Sequence, residues 1–513
     1  HLPEEFVRSF PSAPLRIQAG IDGSLNQLQF TGFNVTIPGS FEMRADGNLT
    51  DVLDSISRRG NINLSAQVQD MRFLSKLTEG VVIPSGTALE GKLGLDGSEM
   101  QAGVVLKQDS GKVTLLAGYN LKGDKYHADL KVDALNLNAF MPSDSLYMLS
   151  ASLKAEGEGF DFFDSHTRME ASGGIAHLEY GSKVLSGANL TASLKNAAAK
   201  VELGVKDNVM DVSSIVQAEL HPKRVEADLN VNVNWMDLYG MNLVSKPFKT
   251  AEKINVHFRS DMKNSHALKA SVKDIRLMTA EKTFKAKDIH LGLDTANDSI
   301  RSFANAGDLV FLFRAKGGPE HLSAQIEKLL SKVSEQWTAR QINQPALREL
   351  LPVTSFYIFS GKDNPLANMM AANRVSYNRM FVKMETSPEN GLNGSAYLNN
   401  LRTDSLELDS IYFQTTQEAL RQVFKSGVIA GNKPFQEAFD ISLNGAIDST
   451  SANMMIEYLN GKKECGARIG FLAALQEHGI SLQISPNEPT LVYRKFRVNP
   501  GNYVYLSDKG RIW

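Results

Sequence analysis

The chain repeats one hydrophobic pattern, in which apolar and polar residues alternate over short runs. At 225–235 the sequence reads VEADLNVNVNW, with an apolar residue at every second position from Ala227 to Trp235. Because successive side chains of a strand point to opposite faces, this run predicts a strand with one apolar and one polar face. The stretches at 127–140, HADLKVDALNLNAF, and 63–74, NLSAQVQDMRFL, show the same alternation. The pattern therefore predicts a long, half-buried antiparallel sheet.

Strands and turns are predicted almost throughout residues 1–300, and again after 390. Examples are the runs at 113–121, 254–258 and 439–447, and turn signals such as Asp46-Gly47, Ser110-Gly111 and Gly123-Asp124 separate strands. The alternating runs near 63, 128 and 226 each continue into a Leu/Met/Phe-rich segment. They indicate either a degenerate repeat of one supersecondary unit or a chance similarity among amphipathic strands.

Helices are predicted beyond residue 318. Gly317-Gly318-Pro319 ends a strand, and an amphipathic helix is expected at 320–340. Its apolar stripe consists of Leu322, Ile326, Leu329, Leu330, Val333 and Trp337. Further helices are predicted at 344–351, ended by Pro352, at 364–375, at 416–425 and at 432–438. The expected organisation is a repeated amphipathic β-strand region over 1–300, a strand with a helical insert over 301–390, and a β-rich module with short helices over 391–513.

Charge and cysteine content narrow the possible partners. The 55 basic and 57 acidic residues give a net charge of −2, without the basic footprint of a nucleic-acid-binding protein. Cys465 is the single cysteine, so an intrachain disulfide and a cysteine-based zinc site are excluded. No apolar run reaches the 18 or so residues that cross a bilayer. Since the chain begins at His1, we expect a mature product or an internal fragment.

Candidate chemistry is sparse. The sequence contains no GxGxxG, Walker lysine, HExxH, GxSxG or CxxC motif, and we predict no catalytic residue, no metal site and no cofactor. Asp161, Asp164 and Glu170 do not have the spacing of an EF-hand loop and fit a solvated strand edge. A carbohydrate-active enzyme would need paired carboxylates or aromatic platforms, and the chain has three tryptophans and no suitably spaced acid pair. The sequence thus predicts a protein that is not an enzyme.

The apolar strand face is the best candidate for a functional surface. Either such strands close on one another as tandem β-sandwiches, or the sheet stays open as a trough that is accessible to lipid chains. In the open form the groove would be lined by Leu130, Val132, Leu135, Leu137, Ala227, Leu229, Val231, Val233, Trp235, Ile254, Val256 and Phe258. The helix at 320–340 would then either cap the groove with its apolar stripe or pack on an ordinary core.

Three segments resemble one known family. They are FPSAPLRIQAGIDGSLNQLQFTGFNVTIPGSFEMRADGNLTDV at 10–52, GDLVFLFRAKGGPEHL at 307–322 and KFRVNPGNYVYLSDKGRIW at 495–513. In particular, the start at Pro14–Gly23 is similar to the recurring PL-x-I-x-x-x-I-D-G of the translocation-and-assembly-module (TamB/AsmA-like) family, especially its Bacteroides-type members. The likeness extends over most of the chain but rests on no fixed residue.

The resemblance implies a fold and a role. The fold would be a long curved antiparallel sheet that forms a U-shaped trough with an apolar interior. The role would be to carry phospholipid, or another acyl-chain lipid, between the inner and outer membranes across the periplasm of a Gram-negative bacterium. The full-length protein would be anchored in the inner membrane by a segment absent from this chain, with an outer-membrane barrel protein as a possible partner. The alternative is a structural assembly factor for outer-membrane proteins that acts through β-strand pairing.

Overall fold

The computed structural model describes residues 10–512 except 25, 52, 55, 77–80, 340–342, 477, 500 and 508–510. The described residues form an open antiparallel sheet of 32 strands with a few helices, which confirms the mainly β fold class with a small helical insert. The chain divides into two compact units. Unit 1 comprises residues 1–255 and 276–283, and unit 2 comprises residues 256–275 and 284–513. The organisation expected from the sequence, with borders at 300 and 390, stays a prediction.

The strands of unit 1 follow one another as an antiparallel meander, in which each main strand pairs with its neighbours in the sequence. They are β1 Arg16–Ser24, β2 Gln27–Ile37, β3 Phe41–Thr50, β4 Arg59–Val68, β5 Ala88–Asp96, β6 Glu99–Gln108, β7 Gly111–Asn120, β8 Lys125–Asn136, β9 Leu146–Glu158, β10 Arg168–Tyr180, β11 Lys183–Leu185, β12 Ala188–Lys195, β13 Ala198–Lys206, β14 Met210–His221 and β15 Arg224–Asp237. A 3-10 turn at Arg72–Lys76 and a short helix, α1 at Leu137–Phe140, interrupt them. The short β11 pairs with the end of β10, and β12 pairs with the rest of β10.

Three strands include residues on both sides of the unit boundary: β16 Phe248–Ser260, β17 His266–Thr279 and β18 Thr283–Lys285. The strands wholly in unit 2 are β19 Ile289–Thr295, β20 Ser299–Ala306, β21 Leu309–Lys316, β22 Thr354–Ser360, β23 Arg379–Ser387, β24 Gly391–Arg402, β25 Glu407–Glu418, β26 Arg421–Ala430, β27 Phe439–Ile447, β28 Ser451–Asn460, β29 Cys465–Gln476, β30 Gly479–Leu491, β31 Arg494–Lys495 and β32 Val504–Ser507. They form a second antiparallel meander, which β17 joins by pairing with β19.

Three helices lie between strands of unit 2: α2 Pro319–Ala339, α3 Gln344–Glu349 and α4 Pro365–Ala372. They confirm the helices predicted from 320, 344 and 364. Asn343 and Asn364 cap α3 and α4 by accepting hydrogen bonds from the backbone N–H groups of Ala346 and Ala367, and a proline follows near the start of each helix. None of the described helices is long and apolar enough to span a membrane.

The short helices predicted after residue 391 are wrong. Residues 416–425 form the hairpin between β25 and β26, in which Glu418 pairs with Arg421 and Ala419 adopts a positive φ of 52°. Residues 432–438 form an irregular loop with a bridge between Lys433 and Gln436. Within the described part of 391–513, every assigned element is a strand.

The apolar strand faces are not closed against a second layer. Among the described residues, one small core cluster is found, in which Ile37 of β2 packs with Phe73 of the 3-10 turn. Tandem sandwiches would bury one face of every strand in a two-layer core. The open sheet therefore rules out that alternative and leaves its apolar face as the surface to explain.

Candidate functional site

The strand register of unit 1 places apolar residues beside apolar residues over many strands. One row runs across the sheet through Leu106, Val113, Val132, Ala151, Ile175, Ala188, Val205, Val212 and Val233. The next row consists of Val104, Leu115, Leu130, Leu153, Gly173, Leu190, Leu203, Ser214 and Val231. Directly opposite residues share a face, so these rows define one surface, the apolar face of unit 1.

Two further rows complete this face. They are Ala102, Ala117, Ala128, Ala155, Ala171, Ala192, Val201, Val216 and Leu229, and then Met100, Tyr119, Tyr126, Gly157, Met169, Leu194, Ala199, Ala218 and Ala227. None of the four rows contains Asp, Glu, Lys, Arg or His. Along these four rows, from β6 to β15, the apolar face of unit 1 therefore has no charged side chain on any of the nine strands that the rows cross.

The side chains of this face are shielded by their neighbours but not enclosed. In β12, Ala188, Leu190 and Ala192 are half-buried, whereas the polar residues between them are exposed. Leu153 and Leu203 remain 38% and 43% exposed. An apolar ligand that covered this face would therefore remove hydrocarbon surface from water.

Most of the residues predicted to line a groove lie on this face. Leu130, Val132, Ala227, Leu229, Val231 and Val233 belong to its rows, and Leu135 joins it beyond a bulge by pairing with Leu149. Ile254, Val256 and Phe258 alternate with polar residues along β16. The side chain of Asn255 donates a hydrogen bond to Asn230 on the polar side, so Ile254 points to the apolar side.

Two of the predicted groove residues have other positions. Leu137 is the first residue of α1, since β8 ends at Asn136. Trp235 follows a bulge, and the register pairs it with Asp211 instead of an apolar residue. The ammonium group of Lys249 lies 5.2 Å from the centre of the Trp235 ring. An extra residue in one strand reverses the side-chain alternation, so the bulge turns the indole towards the polar face.

The opposite surface, the polar face of unit 1, carries exposed ion pairs. Lys154 lies 3.3 Å from Asp129, and Lys200 lies 2.5 Å from Glu202. The hydrogen bond from Lys200 lowers the pKa of Glu202 below its ordinary value. Pairs as exposed as these add little stability, and their main effect is to keep this face in water.

Two clefts open on this polar face. Their volumes are about 670 and 630 Å³, and both include His127, Glu156 and Glu170. Within the part of the chain that the structure describes, no cluster of His, Cys, Asp and Glu is arranged to hold a metal ion. The charged walls of these clefts do not suit acyl chains, so the lipid hypothesis concerns the other face.

Unit 2 has a second apolar face, which the sequence analysis did not single out. Its central row contains Ala270, Leu291, Ala304, Phe311, Ile358, Val382, Ala396, Phe413, Ser426, Leu443, Ile456 and Ile469. The row crosses twelve strands without a charged side chain. The alternation of apolar and polar residues at 439–447, FDISLNGAI, is the sequence signal that could have identified this face.

The helices of unit 2 lie at the ends of its strands. Gln344 of α3 donates to Gln417 near the end of β25, and Arg348 donates to the backbone carbonyls of Pro388, Glu389 and Ala419 in strand-connecting turns. At the other strand end, Asn364 before α4 bonds to Ser360, the last residue of β22. Both Gln417 and Ser360 occupy apolar-face positions of their strands.

The predicted apolar stripe of α2 is divided in two. Leu322 and Leu329 are half-buried, and the buried residue of the helix is Gln336, which bonds to the backbone of Asn343. Ile326, Leu330, Val333 and Trp337 are exposed, Trp337 by 85%. The described part of α2 thus has an exposed apolar strip, and a groove-capping role for it stays a prediction.

The comparisons with known proteins identify no relative. No family model, no curated protein and no solved structure matches the chain. They give the resemblance to the translocation-and-assembly-module family no support, and it stays a prediction from sequence. Parts of its last segment, at 500, 508–510 and 513, lie outside the described residues, as does residue 340 at the end of the predicted helix.

Proposed function

We propose that the apolar faces of the sheet bind the acyl chains of lipids. The observation that carries this proposal is the uncharged apolar face of unit 1, whose rows continue from β6 to β15. The proposal extends to a role in transport. The bound lipid would be phospholipid that the protein moves between the inner and outer membranes in the periplasm of a Gram-negative cell. An anchor in the inner membrane and an outer-membrane barrel partner belong to this proposal.

Physical chemistry favours acyl chains as the ligand. The apolar-face residues of β6, from Met100 to Leu106, span about 20 Å along the strand. Burial of each methylene group contributes about 0.8 kcal/mol, so ten methylenes contribute about 8 kcal/mol before the costs of ordering the ligand. This contribution requires no directional polar group. A chain can therefore shift from one row to the next without breaking a specific bond, which suits movement along the sheet.

The first test is lipid retention by the full chain purified without added detergent. We expect mass spectrometry of organic extracts to find phospholipid with the wild type and much less with Val231→Asp, because a carboxylate in contact with acyl chains loses its hydration. The matched control is Asn230→Asp, at the neighbouring position on the polar face, where the side chain is exposed and can still accept from Asn255. Circular dichroism checks that both variants are folded.

Two outcomes would contradict the proposal. One is a folded wild-type protein that retains no lipid. The other is equal lipid retention by Val231→Asp and Asn230→Asp, which would show that the apolar face of unit 1 does not hold the lipid.

The free edge of unit 1 favours a second candidate function. Within the described residues β1 pairs with β2 alone, and Ile17 and Ile21 on this edge are each 60% exposed. Unpaired backbone groups of an edge strand can take up another strand, which is the basis of β-strand addition to a client protein. A photo-crosslinker at Ile17 should then capture outer-membrane proteins. The assembly role would be favoured if Val231→Asp leaves the capture of outer-membrane proteins unchanged and the purified wild-type protein contains no lipid.

A further inference from the structure

Two arginines stand side by side on the polar face of unit 2, which is the surface opposite its apolar row. Arg301 of β20 and Arg314 of β21 are directly opposite each other in the register. Side chains in that position start about 5 Å apart, and like charges there repel. Lys316, two residues beyond Arg314, points to the same side of β21.

These cations lack the neutralisation found elsewhere on the polar surfaces. Lys383 lies 3.0 Å from Glu385, and Arg468 lies 3.7 Å from Glu457. No ion pair involves Arg301, Arg314 or Lys316 among the residues that the structure describes. Asp294 is opposite Arg301 on its other side but forms no ion pair with it.

A cleft of about 700 Å³ lies beside the two arginines. Its lining includes all three cations, and the carboxylates that border it are Asp298 and Glu385, the latter held by Lys383. The neutral side chains of the lining that can donate a hydrogen bond include Ser299, Ser355, Ser387, Asn390 and Asn393. The cleft therefore combines three cations that form no ion pair with another described residue with neutral hydrogen-bond donors, and both features favour the binding of an anion.

An apolar patch adjoins this cleft on the same face. Phe303 and Leu312 are each two residues from an arginine along their strands, and Tyr357 is two residues from Ser355. The register places Phe303 opposite Leu312 and Leu312 opposite Tyr357. Leu312 is 36% exposed. The basic cleft thus lies next to a hydrocarbon surface on the same face of the sheet, two residues further along each strand.

We propose that this cleft binds a phosphate group, with Arg301 and Arg314 as its principal donors. Planar guanidinium groups can each present two N–H donors to phosphate oxygens, and an anion between them removes their mutual repulsion. The phosphate can belong to a lipid headgroup, whose apolar part then contacts Phe303, Leu312 and Tyr357, or to a free phosphate. This site is independent of the proposed function, because it lies on the face opposite the apolar row.

The test is calorimetric titration of the full chain with inorganic phosphate and with short-chain, water-soluble dihexanoyl phosphatidate, in a phosphate-free buffer. We expect at least one of them to bind with a dissociation constant below about 1 mM. Arg301→Ala and Arg314→Ala should each weaken binding at least tenfold. Arg468→Ala, which removes an ion-paired arginine from the polar face of the same unit, should leave binding unchanged.

The two ligands distinguish the source of the phosphate. Phosphatidate that binds at least tenfold more tightly than inorganic phosphate supports a lipid headgroup, and Leu312→Ser should then reduce the difference. Equal binding supports a free phosphate. Binding of neither ligand, or equal losses in Arg314→Ala and Arg468→Ala, overturns the proposal. Val231 belongs to the apolar face of unit 1, whereas the cleft belongs to unit 2. Val231→Asp can therefore abolish lipid retention while phosphate binding persists, so the two proposals can fail separately.

Discussion

At the residue scale, the two largest fully buried side chains of the described chain, Asn364 and Ser360, belong to one polar network. Asn364 and Ser360 have no exposed surface, and Tyr377 is 3% exposed. The Asn364 amide donates to Asp308 at 2.6 Å and to Ser360 at 2.9 Å, and the Ser360 hydroxyl lies 2.5 Å from the Tyr377 hydroxyl. Each member therefore finds partners inside the protein, as buried polar groups must. The network joins α4 to the turn before β21.

Asn364→Ala should destabilise unit 2 by about 2–4 kcal/mol. The change removes the cap of α4 and leaves Ser360 with one partner fewer in a buried site. Urea unfolding followed by circular dichroism measures the loss. Asn368→Ala, at an exposed position of the same helix, is the control and should change stability by less than about 0.5 kcal/mol. Equal effects of the two substitutions would show that the network contributes no particular stability.

The same network makes the stability of unit 2 depend on pH. Burial raises the pKa of Asp308, but hydrogen bonds from the Asn364 side chain and from backbone N–H groups outweigh it and lower the pKa overall. A carboxyl with a lowered pKa in the folded state stabilises the protein above its unfolded pKa of about 3.9 and loses this contribution as pH falls through the folded value. Asp308→Asn should thus be less stable than wild type at pH 7, and the difference should shrink below about pH 4. Unfolding curves at pH 7, 5 and 3 measure it, and a difference that stays constant would contradict this assignment.

At the scale of the element, glycines show why some turn signals mislead. Ser110-Gly111 and Gly123-Asp124 lie at turns as predicted, but Asp46-Gly47 lies within β3. A Cβ atom at Gly47 would be 2.2 Å from the backbone oxygen of Asn61 on the neighbouring strand. The glycine therefore allows a close approach of two strands, which the sequence alone cannot distinguish from a turn.

Gly47→Ala should destabilise unit 1 by about 1–3 kcal/mol, because the backbone of β4 must move away from the new methyl group. Gly103→Ala is the matched control within β6, where the nearest atom to an added Cβ is the end of the Leu116 side chain at 3.5 Å. That substitution should be neutral or slightly stabilising, since alanine reduces the freedom of the unfolded chain. Thermal unfolding of the two variants compares them directly. A Gly47→Ala protein as stable as Gly103→Ala would mean that the strands do not approach this closely.

Two further predictions are wrong for the same reason as the turn predicted at Gly47, which is that the neighbouring strand decides the local geometry. The residues at 416–425 have no strand alternation across their middle, because Ala419 and its neighbours form a turn in a hairpin. Trp235 continues the alternation of β15 in the sequence, yet the bulge beside it reverses its side. In both cases the partner strand decides the geometry, and local periodicity contains no information about the partner.

At the scale of the whole molecule, lipid binding should be a property of each unit. Unit 2 has its own uncharged apolar row, and Ala396 and Ser395 occupy opposite faces of β24. Ala396→Asp should reduce lipid retention by the full chain, while Ser395→Asp should not. Combining Ala396→Asp with Val231→Asp should remove more lipid than either substitution alone. Quantitative mass spectrometry of the extracts measures the lipid that each variant retains. Full retention by the double variant would show that neither apolar face binds the lipid.

The sequence by itself determined that this protein is mainly β, where its longer helices begin, and which side chains share a strand face. Ala227, Leu229, Val231 and Val233 lie together as their spacing predicts, because side-chain alternation is a local property of the extended backbone. The tertiary structure decided that these faces stay open, how rows join across strands, and which cations stand together. Arg301 and Arg314 are thirteen positions apart in the sequence and become neighbours only through the register of β20 and β21. Such pairings depend on contacts between strands, so the alternation of a single strand cannot specify them.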